Sequence, residues 1–181
     1  MGVGMRFGGR YRVETARLRG WDYGAAGWYF VTVCTRGRRR WLGDVVAGEV
    51  RLSEAGVIVA EELRHTEEMG PNVALDEWTV MPDHLHAIIV IKRGGPTPIL
   101  TSTSRQNVSP ASRLTPGSLG TIVGQLKSVC TKRIRANGPR DFAWQPRFHD
   151  HIIRNETALN NIRKYIAQNP SKWRPNHDAI P

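Results

Sequence analysis

The sequence predicts an α+β fold, an antiparallel sheet with helices packed against it. Six short stretches are β-branched, aromatic or alternating, and three longer ones carry apolar residues at helical spacing. They follow one another as strand, hairpin, helix, two strands, helix, strand, helix, with a polar break before the second helix. With 40% hydrophobic residues in 181, the chain can build one core of ordinary size and is read as a single domain.

Residues 1–27, rich in Arg and Gly without a clear period, read as a basic N-terminal arm. The run from Trp28 to Thr35 is aromatic and β-branched, as a strand requires. Arg36, Arg38, Arg39 and Arg40 crowd its end. A solvated loop is the plain meaning of that run, and a contact with a phosphate backbone is the functional one. The segments 43–46 and 49–52 around Ala47-Gly48 predict a hairpin. Ser53 is placed to cap a helix reaching about Met69, with Ala55, Ile58, Val59 and Leu63 on its apolar side. Gly70-Pro71 stops it. Residues 76–81 alternate as a strand, and Pro82-Asp83 bends the chain. The run from His84 to Lys92 is apolar on both faces in its later half, which marks a central strand.

Residues 94–117 hold four Pro, four Ser and four Thr and are expected to form a flexible insertion. A second helix is predicted over 118–136, striped by Leu119, Ile122, Val123, Leu126 and Val129. Lys127, Thr131 and Arg135 recur at four-residue spacing on another face. Residues 142–154 are expected to form a final strand. Asn155 caps a third helix over 156–168, striped by Leu159, Ile162 and Ile166, which Pro170 is expected to end. The expected domain is therefore 28–173, with 174–181 as a tail.

The net charge is +10, and it is segregated: residues 1–53 carry 10 basic and 4 acidic side chains, 54–78 carry 1 and 7, and 122–181 carry 11 and 4. A basic surface facing a polyanion, with an acidic helix turned away, would produce this pattern; so would a generally Arg-rich composition. Cys34 and Cys130 show no zinc spacing and are expected as buried thiols in a reducing cytoplasm. No stretch reaches the ~18 apolar residues of a membrane span, and the first residues lack a signal-peptide core. The expectation is a cytoplasmic chain with a nucleic-acid partner and no membrane.

Two features carry chemistry. On a strand, His84 and His86 project from one face with Leu85 on the other, which is half of a metal site or two satisfied strand histidines. On the third helix Tyr165 and Asn169 are neighbours four residues apart, about 80° and 40° from the centre of the apolar stripe. A tyrosine there reads as a core-edge residue or as a nucleophile. His149 and His151 also alternate, but around Asp150 rather than an apolar residue.

At these residues the sequence resembles a known family. Met81-Pro82-Asp83-His84-Leu85-His86 is similar to the H-U-H motif (U hydrophobic) of single-tyrosine HUH transposases. Trp144-Gln145, Phe148 to Glu156 and Asn161 to Trp173 resemble the second signature of one branch, the REP-associated tyrosine transposases of the IS200-like superfamily. Pro146 departs from the pattern, where a polar or basic residue is expected.

The resemblance implies a ferredoxin-like HUH nuclease/transposase fold and an enzyme, a single-stranded DNA endonuclease and strand transferase acting near hairpin-forming repeats. It implies that Tyr165 attacks a phosphate to leave a 5′-phosphotyrosine. It also implies that His84, His86 and Asn169 hold a divalent ion, usually magnesium or manganese. The strand of His149 and His151 is then structural and DNA-proximal, with no metal assigned. The basic residues expected at DNA are Arg36, Arg38, Arg39, Arg40, Lys127, Arg135, Arg154 and Lys164. Members act as monomers or homodimers, and a nucleoid-associated location follows from the substrate. The alternative reading is a domesticated hairpin-DNA-binding protein that no longer cuts.

Overall fold

Alternation decides which side of each strand is buried, and the register between strands then decides what shares a face. The computed structural model of the chain describes residues 6–7, 10–11, 18, 20–69, 72–92 and 116–174. Its strands are β1 (Arg6–Phe7), β2 (Arg10–Tyr11), β3 (Gly27–Cys34), β4 (Gly43–Val46), β5 (Glu49–Leu52), β6 (Val73–Met81), β7 (His84–Ile91) and β8 (His149–Ile153). The helices are α1 (Glu54–His65), α2 (Leu119–Asn137) and α3 (Glu156–Lys172). Most of the expected N-terminal arm and insertion, and the tail after residue 174, lie outside the described residues.

β6, β7, β3 and β8 form a four-stranded antiparallel sheet in that order. The predicted antiparallel α+β architecture is therefore the observed one, and the run from His84 is a central strand. On one face Val31, Val33, Leu85, Ala87 and Ile89 pack with Val59 and Leu63 of α1 and with Ile122, Val123 and Leu126 of α2. On the other, Ile88 and Ile153 pack with Ile166 of α3. Among the described residues Ile166 is the buried side chain of α3, so this helix is held by a much smaller apolar contact than α1 or α2.

Local sequence explains the ends of these elements. Ser53, Ser118 and Asn155 each accept a backbone N–H from the first turn of α1, α2 and α3. The β4–β5 hairpin turns through Ala47 (φ 53°) and Gly48 (φ 80°), the left-handed pair that a two-residue turn needs. Gly56 lets α1 press on the preceding loop, since a Cβ there would sit 2.0 Å from the Leu42 carbonyl oxygen.

Three expectations need correction. The third helix does not stop at Pro170 but carries it in its last turn and ends at Lys172, where Trp173 N–H returns to the Pro170 carbonyl. A proline has no N–H to return to the carbonyl four residues back, so the last turn carries one ladder bond fewer. The final strand is confined to 149–153; residues 142–148 are irregular apart from one bridge between Trp144 and Thr35. The strand expected at 76–81 begins earlier, at Val73, and contains a bulge in which Asp76 and Glu77 face the single residue Ile88.

Candidate active site

β7 sends Leu85 and Ala87 into the main core and His84 and His86 to the opposite face, as alternation requires. Both imidazoles are nearly sealed, 2% and 4% exposed. Their Nε2 atoms lie 3.0 Å apart. Each Nδ1 is engaged by the protein: His84 Nδ1 lies 2.6 Å from Asp83 Oδ1, and His86 Nδ1 lies 2.9 Å from Thr32 Oγ1. A short contact to a buried carboxylate makes His84 Nδ1 the donor to Asp83.

Asp83 is itself fixed. Arg38 Nε stands 3.0 Å from its Oδ2, and its backbone carbonyl accepts from Thr35 N–H and Thr35 Oγ1. Burial, then the positive environment of His84 and Arg38, pushes the His86 imidazole down to about 3. His86 is therefore neutral at ordinary pH and keeps a lone pair available.

α3 brings Tyr165 onto this pair. Its Oη lies 3.5 Å from His86 Nε2, and the ring is half exposed. Phe30 of β3 stacks on His86 with ring centroids 5.3 Å apart and meets Tyr165 edge-on at 6.0 Å. Trp173, just past α3, lies against His84 at 5.9 Å. Asn169 is half-buried inside α3, one turn beyond Tyr165. The helix is tied to the sheet by Arg163, whose Nε and Nη2 each donate to Asp76 in the β6 bulge at 2.7 Å. That bond, partly opposed by burial, holds the Asp76 carboxyl below its ordinary value.

The basic residues fall into separate groups. Arg36, Lys127 and Arg135 line a groove of about 520 Å³ between α2 and residues 143–146. There Lys127 Nζ donates to the Gln145 and Pro146 carbonyls and Arg135 Nε to that of Phe142. Burial lowers the Lys127 ammonium from its ordinary value. Arg39 pairs with Asp141 and Arg40 with Asp44, both at the surface. Arg154 stands over Trp21 at 5.9 Å, and Lys164 is exposed beside Tyr165 in α3. Arg38 differs from the rest, because its guanidinium turns inward to Asp83 and Cys34 Sγ.

The structure thus brings His84, His86 and Tyr165 together, from positions 79 residues apart at the tyrosine contact. It adds Asp83, Thr32 and Phe30, which reading the sequence missed. Asp83 had a signal, a carboxylate directly before a candidate ligand. Thr32 and Phe30 had none, since only the β3–β7 register reveals them.

No helix among the described residues is long and apolar enough to cross a membrane. No family model matches the chain. An uncharacterized protein of Haemophilus influenzae is 30% identical over 166 residues, 91% of this chain and 92% of that one. The solved structure of a REP-associated tyrosine transposase bound to a REP hairpin superposes with a TM-score of 0.57 at 22% identity, covering 86% of this chain and 74% of that one. A candidate transposase from Deinococcus radiodurans superposes at a TM-score of 0.44 and 20% identity over 84% and 96% of the two chains, too loosely to bear on the site. The chain therefore belongs to one family with the Haemophilus influenzae protein, and its fold is that of the REP-associated tyrosine transposase.

Proposed function

We propose that the chain is a metal-dependent endonuclease and strand transferase for single-stranded DNA, cutting near hairpin-forming repeats through a 5′-phosphotyrosine intermediate. The observation that carries this reading is the approach of Tyr165 Oη to within 3.5 Å of His86 Nε2, beside a second convergent imidazole nitrogen. The net charge of +10 and the fold shared with a hairpin-bound transposase favour DNA as the substrate.

The donor set suits a divalent ion. His84 and His86, whose Nε2 atoms converge to 3.0 Å, would be the two residues that hold it. Asp83 and Thr32 occupy the other ring nitrogens, as outer-shell partners of metal-bound histidines do. The family resemblance implies the Asn169 amide, one turn beyond Tyr165 on α3, as the third ligand. Magnesium or manganese held there would supply Lewis acidity at the scissile phosphate.

Tyr165 Oη attacks the phosphorus, an O–P bond forms, and the bond to the 3′-oxygen breaks, releasing a 3′-hydroxyl. The phenol proton goes to solvent, to which Tyr165 is open. In the second step a 3′-hydroxyl attacks the same phosphorus and Tyr165 leaves, so strands are rejoined without ATP. Arg36, Lys127, Arg135, Arg154 and Lys164 steady the backbone. Arg39 and Arg40 can exchange their surface carboxylates for phosphates.

The test is a labelled hairpin with a single-stranded flank, incubated with the protein and Mn²⁺ and run on a denaturing gel. Wild type forms a covalent adduct, Tyr165→Phe forms none, and His86→Ala binds the hairpin without cutting. An adduct that survives in Tyr165→Phe removes the nucleophile assignment. Binding without any cleavage by the wild type leaves a hairpin-binding protein.

A further inference from the structure

The sheet face that carries His84 and His86 is only partly roofed. After β8, α3 crosses toward β6 and β5, burying Ile166 against Ile88 and Ile153. The sheet register shows what lies on the open side. His149 pairs with Thr32, which pairs with His86; His151 pairs with Phe30, which pairs with Ile88. Residues directly opposite one another share a face. Two further imidazoles therefore lie on the same face as the ligand pair, with His149 two strands, or about 9.6 Å, from His86.

Both histidines are exposed on the edge strand. Phe30 fills the gap, stacked on His86 and edge-on to Tyr165. From the tyrosine to the sheet edge the floor is thus a run of flat π surfaces. The carboxylate of this strand, Asp150, is on the other face, paired with the core residue Val31. Arg147 and Arg154 flank the strand in sequence. Flat rings flanked by basic residues, with Asp150 turned to the other face and Asp83 already paired with Arg38, match the chemistry that holds single-stranded DNA: bases on aromatic planes, phosphates on cations.

We infer that the bases adjoining the phosphate attacked by Tyr165 stack on Phe30, His151 and His149, so that β8 sets the position of the strand in the site. This rests on the proposed attack by Tyr165 on single-stranded DNA. The two histidines are positioning residues: they hold the strand and take no part in bond making.

The test uses the full chain and a fluorescein-labelled hairpin, with or without a mixed-sequence single-stranded arm, read by anisotropy in EDTA. Wild type binds the armed hairpin more tightly than the blunt one. His149→Ala with His151→Ala weakens binding of the armed hairpin by about tenfold or more, leaves the blunt one unchanged, and leaves the unfolding midpoint in place. Phe at both positions restores arm binding, because a larger ring keeps the stack. Equal binding of the armed hairpin by wild type and the alanine pair overturns the inference. So does an equal loss on both hairpins, no rescue by phenylalanine, or an arm preference that EDTA abolishes in the wild type, which would mean metal-bridged contacts. Tyr165→Phe keeps the arm preference; if that preference survives while the wild type forms no adduct, the cutting reading fails and the track stands.

Discussion

Replacing Asp83 by Asn isolates one charge at the centre of the proposed metal site. The side chain is 7% exposed, lies 2.6 Å from His84 Nδ1, and neutralises an Arg38 side chain that is 19% exposed. Asparagine keeps the shape and one acceptor but removes the charge. Two consequences follow. Loss of an outer-shell carboxylate lowers metal affinity or activity about 10- to 100-fold, because His84 Nε2 becomes less basic and its ring less firmly oriented. Leaving Arg38 facing a neutral amide costs up to about 3–5 kcal/mol, the range for breaking a buried pair. The lower part of that range applies, since Arg38 is 19% exposed and keeps its hydrogen bond to Cys34 Sγ. The assays are Mn²⁺ titration by calorimetry and urea unfolding of the metal-free protein. Asp83→Asn should show a Kd for Mn²⁺ raised at least tenfold together with lowered stability. Unchanged Mn²⁺ affinity would refute the role given to Asp83, even if stability fell.

Ile166→Ala empties the buried contact beneath α3 and should lower stability by about 2–5 kcal/mol in urea unfolding; adduct formation should fall further than stability predicts, because Tyr165 is the preceding residue. The Asp76–Arg163 pair should make α3 docking acid-sensitive. A carboxyl held below its ordinary 3.8 in the folded state contributes stability above that value and loses it as pH falls through the folded value. Arg163→Ala should therefore flatten the stability profile below about pH 4, seen by circular dichroism of wild type and variant across an acid titration.

How much of this was legible in sequence depended on whether local pattern or register carried the information. The caps at Ser53 and Asn155, the Ala47-Gly48 turn and the central strand are written in consecutive residues, and their positions follow from propensity and alternation. The extent of α3 was misjudged because a proline near a helix end is ambiguous locally, and here the Trp173 N–H closes the last turn instead. Arg38 reads as one of four equivalent surface arginines, yet it follows Gly37 (φ 64°) and itself adopts φ 52°, a bend that accompanies its inward turn to Asp83. No composition rule foresees a buried partner supplied by another loop. Thr32 and Phe30 are of the same kind. Their meaning exists only once β3 is laid beside β7.

The two halves of the site are supported very differently, and this bears on how it would work. His84 and His86 project from β7, whose alternate residues Leu85, Ala87 and Ile89 are fully buried beneath α1 and α2. Displacing the two histidines would mean disturbing the main core, so this half of the site is rigid. Tyr165 rides on a helix docked through the small Ile166 cluster and the Arg163–Asp76 pair at the margin of the sheet. In the proposed reaction, a nucleophile that remains bonded to one DNA end while another end arrives has to tolerate movement, whereas the group that polarises the phosphate must not move. Weak docking of α3 over a rigid β7 meets both demands. It also explains why adduct formation should respond to Ile166→Ala more steeply than to an equally destabilising change under α1: both lower the folded population, but only the first lets the tyrosine leave a metal half that is still intact.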